Sequence, residues 1–268
     1  MTVAGIHILG PQRIELKNTE IMLSGAKLRS ILAVLALRAE NEVRRDELIE
    51  ELDLIRTAGD AVNAVHAHVA RLRRWLQRHG GNADLLETIN SGYRLNIDRD
   101  AVDAHRFVRM VERALNLAPG TPSVVATILE DALSLWQGDA LIDALEGPLV
   151  ATAADELHRW RAAARETLID AWLTLDHNQK VVLNARKFIS EDPLNESMRA
   201  RHIIALQRMG RHAEATEAYN DAETVLSREL GIRPGTELRA TSDPATRFTP
   251  ISGGRQRQRE RIMIGAPS

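Results

Sequence analysis

Apolar positions change period along this chain. Ile6 and Ile8, Ile14 and Leu16, and Ile21 and Leu23 are each separated by one polar or small residue, the period of half-buried strands. Gly10-Pro11 and Asn18-Thr19 punctuate them. The period then lengthens. Leu28, Ile31, Leu32 and Leu35 predict a first helix with a cap at Ser24 and an end near Glu40. Val43 reads as a single-residue strand, and Asp46 caps a second short helix with Leu48, Ile49 and Leu52 inside. The segment Asp53–Asp60 (DLIRTAGD) reads as a linker to a third helix over Ala61–Gly80. Beyond Gly80-Gly81, strands at Leu85–Ile89 and Tyr93–Ile97 join at Asn90-Ser91-Gly92, a hairpin signal. From Asp103 onward the strand period is gone. Helical stripes follow at Phe107–Leu117, Val124–Trp136, Ala151–Leu175, Lys180–Ser190, Met198–Met209 and His212–Leu230, with breaks at Pro119-Gly120, Gly138, Gly147-Pro148, Pro193 and Gly210.

The third helix carries the chemistry. Val62, Val65, Val69, Leu72 and Leu76 line one face, and Asn63, Ala67, Ala70, Arg71, Arg74 and Arg78 line the other. His66 and His68 flank that second face; spaced by two, they point about 200° apart, which argues against a shared metal ion. The helix holds arginines at 71, 73, 74 and 78 and no carboxylate. Such a face suits a DNA major groove, because arginine reaches guanine N7 and O6, asparagine reaches adenine, and alanine permits close approach. A solvated basic face on an ordinary amphipathic helix is the competing reading.

The 268 residues, 44% of them hydrophobic, suffice for two domains with real cores. The chain has no cysteine, so it has no disulfide framework, thiolate site or cysteine nucleophile, in keeping with a reducing cytoplasm. No apolar run approaches the roughly 20 residues of a membrane span, and the N-terminus lacks the basic start and cleavage region of a signal peptide. The net charge of −2 hides a polarity: residues 1–99 carry +1, residues 100–240 carry −6, and residues 241–268 carry +3. Four positive charges of the near-neutral first segment sit on one helix, a local basic stripe. Arginine outnumbers lysine 31 to 4, a GC-rich composition that lowers the weight of any one surface arginine. Nothing points to an enzyme. No Gly-Lys dipeptide, His-Glu-x-x-His, Gly-x-Ser-x-Gly or Gly-x-Gly-x-x-Gly occurs, so no catalytic residue, metal ligand or cofactor is expected.

The helical part repeats at an offset of 34 residues, with Asp176-His177-Asn178 over Gly210-Arg211-His212 and Ala185 over Tyr219. Gly210, Ala215, Tyr219 and Ala222 fit a tetratricopeptide pattern; the first unit fits it poorly. Stacked helix pairs of this kind present a surface for protein partners, and a plain bundle that positions the first domain is the alternative.

Three strands, three helices and a terminal hairpin, the third helix basic, resemble an OmpR-type winged helix-turn-helix. The resemblance rests on Leu9-Gly10-Pro11, on Val43, Asp46, Leu48 and Ile49, on Asn63-Ala64, His68-Val69 and Arg71-Leu72-Arg73, and on Gly92-Tyr93-Arg94-Leu95 at the wing. Leu133–Leu141 (LSLWQGDAL), Glu229–Ala240 (ELGIRPGTELRA) and the segment from Glu191 (EDPLNESMRARHIIALQRMGRHAEA) resemble the bacterial transcriptional activation domain. The two together are the architecture of the Streptomyces antibiotic regulatory protein family. The fold class implied is mainly α with a small β component: a winged helix over 1–99, an all-α tetratricopeptide-like domain over 100–240, and a tail over 241–268 expected to be disordered. The resemblance implies a cytoplasmic activator of a secondary-metabolite gene cluster that binds direct repeats as a head-to-tail pair and recruits RNA polymerase.

On this reading Asn63, His66, Ala67, Ala70 and Arg71 face the bases, and Arg74, Arg78 and Arg94 serve phosphates. Tyr93 is expected in the core under the wing. The loop Asp53, Leu54, Ile55 and Arg56 corresponds to the polymerase-facing loop of OmpR-like activators. It departs from the family, which has Leu-Trp and a Pro-rich loop where this chain has Leu52-Asp53 and no proline. The first helix also departs, reading Gly25-Ala26-Lys27-Leu28-Arg29 without the family's Pro/Gln pair, and the closing helix gives way to the basic tail. These departures leave two rivals: a protein-interaction adaptor whose winged helix no longer binds DNA, and a repressor acting through the same DNA contacts.

Overall fold

The early alternation builds an antiparallel sheet. In the computed structural model, which describes residues 3–16, 19–57, 59–144 and 147–242, strands β1 (Val3–His7), β2 (Arg13–Leu16) and β3 (Thr19–Ile21) pair in that order. Ile6 pairs with Ile14 and Ile14 with Ile21, so one face is apolar, and Ile6, Ile14 and Leu16 are buried. Helix α1 (Ala26–Leu37) follows, with Leu28, Ile31, Leu32 and Leu35 inside. Its cap is Gly25 rather than Ser24: the Gly25 carbonyl accepts from Leu28 and Arg29, and its φ of 98° is one that glycine adopts freely.

Val43 lies in a three-residue strand, β4 (Glu42–Arg44), not in a single-residue one. Helix α2 (Arg45–Glu51) begins two residues earlier than an Asp46 cap requires. Its cap is Arg44, whose backbone N–H donates to Glu47 Oε2 at 2.8 Å, and Asp46 sits in the first turn. The expected linker holds a one-turn helix, α3 (Leu54–Thr57), before α4 (Ala61–Arg78). Val65, Val69, Leu72 and Leu76 of α4 are buried with Trp75, whereas Val62, placed on the inner face by its spacing, is 44% exposed. The first turn of α4 overhangs the core. Strands β5 (Leu86–Ile89) and β6 (Gly92–Leu95) form the hairpin, and β4 pairs on the far side of β6, giving the sheet order β4-β6-β5.

The described residues fall into two compact units, one drawn from residues 3–116 with 128–162 and one from residues 117–127 with 163–242. The first unit thus extends past the hairpin. It takes in helix α5 (Asp103–Leu117), the later part of α6 (Pro122–Ser134) and the start of α7 (Pro148–Thr174). Asp103, the first residue of α5 and fully buried, accepts from the backbone N–H of Ile8 at 2.9 Å and of Leu9 at 3.2 Å. Gln137 N–H donates to the Leu9 carbonyl at 2.7 Å and Leu141 N–H to that of Ile8 at 2.8 Å. Glu51, buried at the end of α2, accepts from Leu149 N–H at 2.7 Å and Val150 N–H at 3.3 Å, capping α7 from 98 residues away. Burial raises the pKa of this carboxyl, and the two N–H groups act against the rise.

In the second unit the offset of 34 is a structural repeat. The C-terminal part of α7 with α8 (Asn178–Glu191), and α9 (Glu196–Arg208) with α10 (His212–Leu230), turn in the same way. Asp176 and Gly210 hold φ of 58° and 73°, and the bonds that close the turns, His177 N–H to Trp172 O and Arg211 N–H to Leu206 O, are themselves 34 residues apart. Arg201 of α9 forks onto Asp170 of α7 at 2.7 and 2.9 Å, and Arg199 reaches Asp221 of α10 at 2.8 Å. A short α11 (Thr236–Ala240) packs on α9. The tail expectation falls, from residue 243 on, outside the described residues.

His202 of α9 is buried beside Arg186 of α8, Arg199 of α9 and Arg211 and Glu214 at the start of α10. Burial, and then the three arginines, push its pKa down from 6.5 to about 4. The unfolded chain takes the proton near pH 6.5 and the folded chain resists it, so stability is complete above pH 6.5 and is lost as pH falls towards 4. The separation corresponds to ~3 kcal/mol. Chemical denaturation of wild type and His202→Gln at pH 7 and pH 4.5 is expected to show the wild type losing the more stability; equal losses would contradict this.

Candidate nucleic-acid interface

Helix α4 is positioned by its own apolar stripe. Asp60 caps it, and the buried Val65, Val69, Leu72 and Leu76 pack it against α1 and α2. The stripe fixes rotation about the axis, so Asn63, His66, Ala67, Ala70, Arg71, Arg74 and Arg78 all stand on the exposed face, as the pattern predicts. Arg71 has no hydrogen-bond or ion-pair partner among the described residues. Arg74 and Arg78 reach only carbonyls of their own helix, Ala70 O at 3.3 Å and Arg74 O at 3.4 Å. The three guanidiniums are therefore unneutralised along the C-terminal half of one exposed face. His66 stands edge-on to Tyr93, ring centroids 6.4 Å apart. His68 is half-buried and turned from that face; burial lowers its pKa, with Lys27 and Arg71 adding to the effect.

The fourth arginine of α4 does something else. Arg73 donates from Nε and Nη2 to the Leu86 carbonyl of β5 at 2.9 and 2.8 Å, and from Nη2 to Thr88 Oγ1 at 3.0 Å. It ties the hairpin to the helix. No wheel distinguishes it from its neighbours, because its partners lie on a strand 13 to 15 residues away. Tyr93 is buried, as expected, and burial raises its pKa.

Arg94 does alternate to the outer face of the sheet, and there the register places it between two glutamates: Glu87 on β5 and Glu42 on β4 are its cross-strand neighbours. Its Nη2 donates to Glu87 Oε2 at 2.7 Å and its Nε to Asn96 Oδ1 at 3.0 Å. The Arg94 bond, and then one that Asn96 Nδ2 donates to Glu87 Oε2 at 3.3 Å, hold the Glu87 carboxyl below the usual carboxylate range. A phosphate at Arg94 would compete with a carboxylate already in place.

The loop residues separate. Leu54 is buried and faces the core, a correction to its placement on an outward loop. Asp53 takes φ of 50°, Ile55 is 80% exposed, and Arg56 stands out in an ion pair with Asp53 at 2.5 Å. The turn after Leu52 thus presents one large apolar side chain and one ion pair to solvent. No helix among the described residues is long and apolar enough to cross a membrane.

Two family profiles match the chain. One, described as transcriptional regulatory protein, C terminal, covers residues 18–95, and the other, described as bacterial transcriptional activator domain, covers residues 102–243. The transcriptional regulator RedD of Streptomyces coelicolor is 34% identical over 240 residues, covering 87% of this chain and 68% of RedD. The regulatory protein DnrI of Streptomyces peucetius is 27% identical over 252 residues, covering 91% of this chain and 93% of DnrI. Among solved structures, Mycobacterium tuberculosis EmbR in complex with a low affinity phosphopeptide superposes with a TM-score of 0.82 at 26% identity, over 97% of this chain and 69% of that one.

Proposed function

The chain belongs to the Streptomyces antibiotic regulatory protein family of transcriptional regulators, and from that premise we propose that it is a sequence-specific DNA-binding activator of an antibiotic gene cluster. The observation that carries this reading is the exposed face of α4, where Asn63, His66, Ala67, Ala70 and Arg71 precede two further unneutralised cations, Arg74 and Arg78. A helix of this kind inserts into the major groove with the wing beside it. Residues 1–99 then read DNA, and the helical residues 100–240 serve the transcription machinery. Two copies lie head-to-tail on direct repeats, an arrangement that needs no two-fold interface off DNA. Ile55 and Arg56 offer RNA polymerase the contact on the loop; Leu54 supports them from inside.

Footprinting across promoter fragments with random DNA as competitor tests the DNA reading, and transcription in vitro with added polymerase separates an activator from a repressor. Salt-sensitive protection of a direct repeat, with more transcript, is expected. Equal affinity for every fragment would remove the sequence-specific reading. Arg71→Ala is expected to cost ~1–3 kcal/mol of binding and to relax preference at one base position, as for loss of a bidentate guanine contact. Arg74→Ala is expected to weaken all sequences alike and to lower the salt slope by about one. Indistinguishable effects of the two substitutions would refute the division between base and phosphate roles.

A further inference from the structure

We propose that the cleft between α8 and α10 binds a small zwitterion, an α-amino acid with an apolar side chain. The cleft holds a cavity of about 340 Å³, at the small end of the range for small-molecule sites. Helix α9 packs on both α8 and α10 and forms its floor. All three helices lie in the second compact unit, so the site takes nothing from the first. Pairing within the protein leaves a definite remainder in the cleft. Arg199 Nη1 donates to Asp221 Oδ2 at 2.8 Å, and Arg211, beside the cavity, forks onto Glu214 at 2.7 and 2.5 Å. Arg186 on the α8 wall and Glu217 on the α10 wall have no hydrogen-bond or ion-pair partner among the described residues. His202 lines the floor, is only 7% exposed, and has its Nε2 unpaired. A buried ring nitrogen without a partner is costly, so the unmet bond points to a group from outside the chain.

That remainder selects the ligand. The lining carries two arginines against three carboxylates, and His202 is neutral at pH 7 because its pKa lies near 4, so a simple anion is disfavoured. One free cation and one free carboxylate on opposite walls suit a molecule that carries both charges, its carboxylate to Arg186 and its ammonium to Glu217. The His202 nitrogen serves either end: it donates to a carboxylate in one tautomer and accepts from an ammonium in the other. Ile189, Leu206 and Ala218 line the same cavity and offer the side chain an apolar surface. Nothing in this site involves α4, so the DNA-binding reading stands or falls separately.

The probes are L-leucine, L-isoleucine, L-valine, L-methionine and L-phenylalanine, titrated calorimetrically into the full-length protein at pH 7. At least one is expected to bind saturably with a Kd of about 1 mM or tighter. The amide of that amino acid, which lacks the carboxylate, and its N-acetyl form, which lacks the ammonium, are each expected to bind about ten-fold more weakly or worse, as for loss of a charged hydrogen bond. Arg186→Gln and Glu217→Gln are expected to weaken the parent amino acid to the same degree, with thermal unfolding as the folding control. The His202 ring resonances, identified by their loss in His202→Gln, are expected to shift on binding. A cavity that holds only water would give no saturable heat with any probe and would overturn the inference. So would binding that survives capping of both charged ends, or that is undiminished in both folded variants with the His202 resonances unmoved.

Discussion

A fragment of residues 1–99 is expected to be less stable than a fragment of residues 1–162 by ~5 kcal/mol or more, and so to be largely unfolded at 37 °C. The hairpin ends at Leu95, and a cut shortly after it looks harmless from the sequence. Across that cut, however, the first segment gives up the Asp103 carboxylate on Ile8 and Leu9, the Gln137 and Leu141 N–H groups on the carbonyls of Leu9 and Ile8, and the bonds of Gln12 and Arg29 to Asp143. His105 Nε2 also lies 3.0 Å from the Ala36 carbonyl. Each bond is worth about 1 kcal/mol net. Ile8 and Leu9, buried in the whole chain, add ~1.5–3 kcal/mol apiece for any exposure that becomes complete. Against a typical domain stability of roughly 5–15 kcal/mol the loss is decisive. The check is urea denaturation of both fragments, followed by far-UV circular dichroism. Coincident midpoints would show that the winged helix closes its core without residues 103–162.

That dependence was not legible in the sequence, and the reason is physical. Local periodicity reports which face of an element is apolar and says little about what covers it. Asp103 and Glu51 look like ordinary surface carboxylates in the sequence. Their partners lie 94 to 99 residues away, at the other end of contacts that no window of 18 residues can hold. Where the signal is local and long, reading succeeds. The stripe of α4 fixed its rotation, and with it the exposure of Asn63, His66, Ala67, Ala70, Arg71, Arg74 and Arg78. It failed at Val62 because the first turn of the helix extends past the elements it packs on. The one-turn helix Leu54–Thr57 is too short to show a period at all. Alternation put Arg94 on the correct face of β6, but only the register reveals glutamates on both sides of it.

Gly92→Ala is expected to cost ~3 kcal/mol or more, the upper end for overpacking a close contact. A Cβ on Gly92 would stand 2.0 Å from the Val43 carbonyl oxygen, 2.8 Å from its carbon and 3.0 Å from Arg44 Cα. All three are backbone atoms of β4, so no rotamer change relieves the clash. The strands must part, and glycine within a strand marks such a close approach. Parting them undoes the pairing of Glu42, Val43 and Arg44 with β6 and the bond from Arg45 N–H to Ser91 O, which together hold the wing beside α2. Gly59→Ala is the internal control: its Cβ meets nothing within 4 Å, so its stability is expected to stay within about 0.5 kcal/mol of wild type. Urea denaturation of the two variants, with hydrogen exchange of the β6 amides, reads both effects. Gly92→Ala should expose those amides and weaken binding on the wing side of the DNA site; protection and stability equal to those of Gly59→Ala would mean that β4 yields at little cost and that the wing does not depend on this contact.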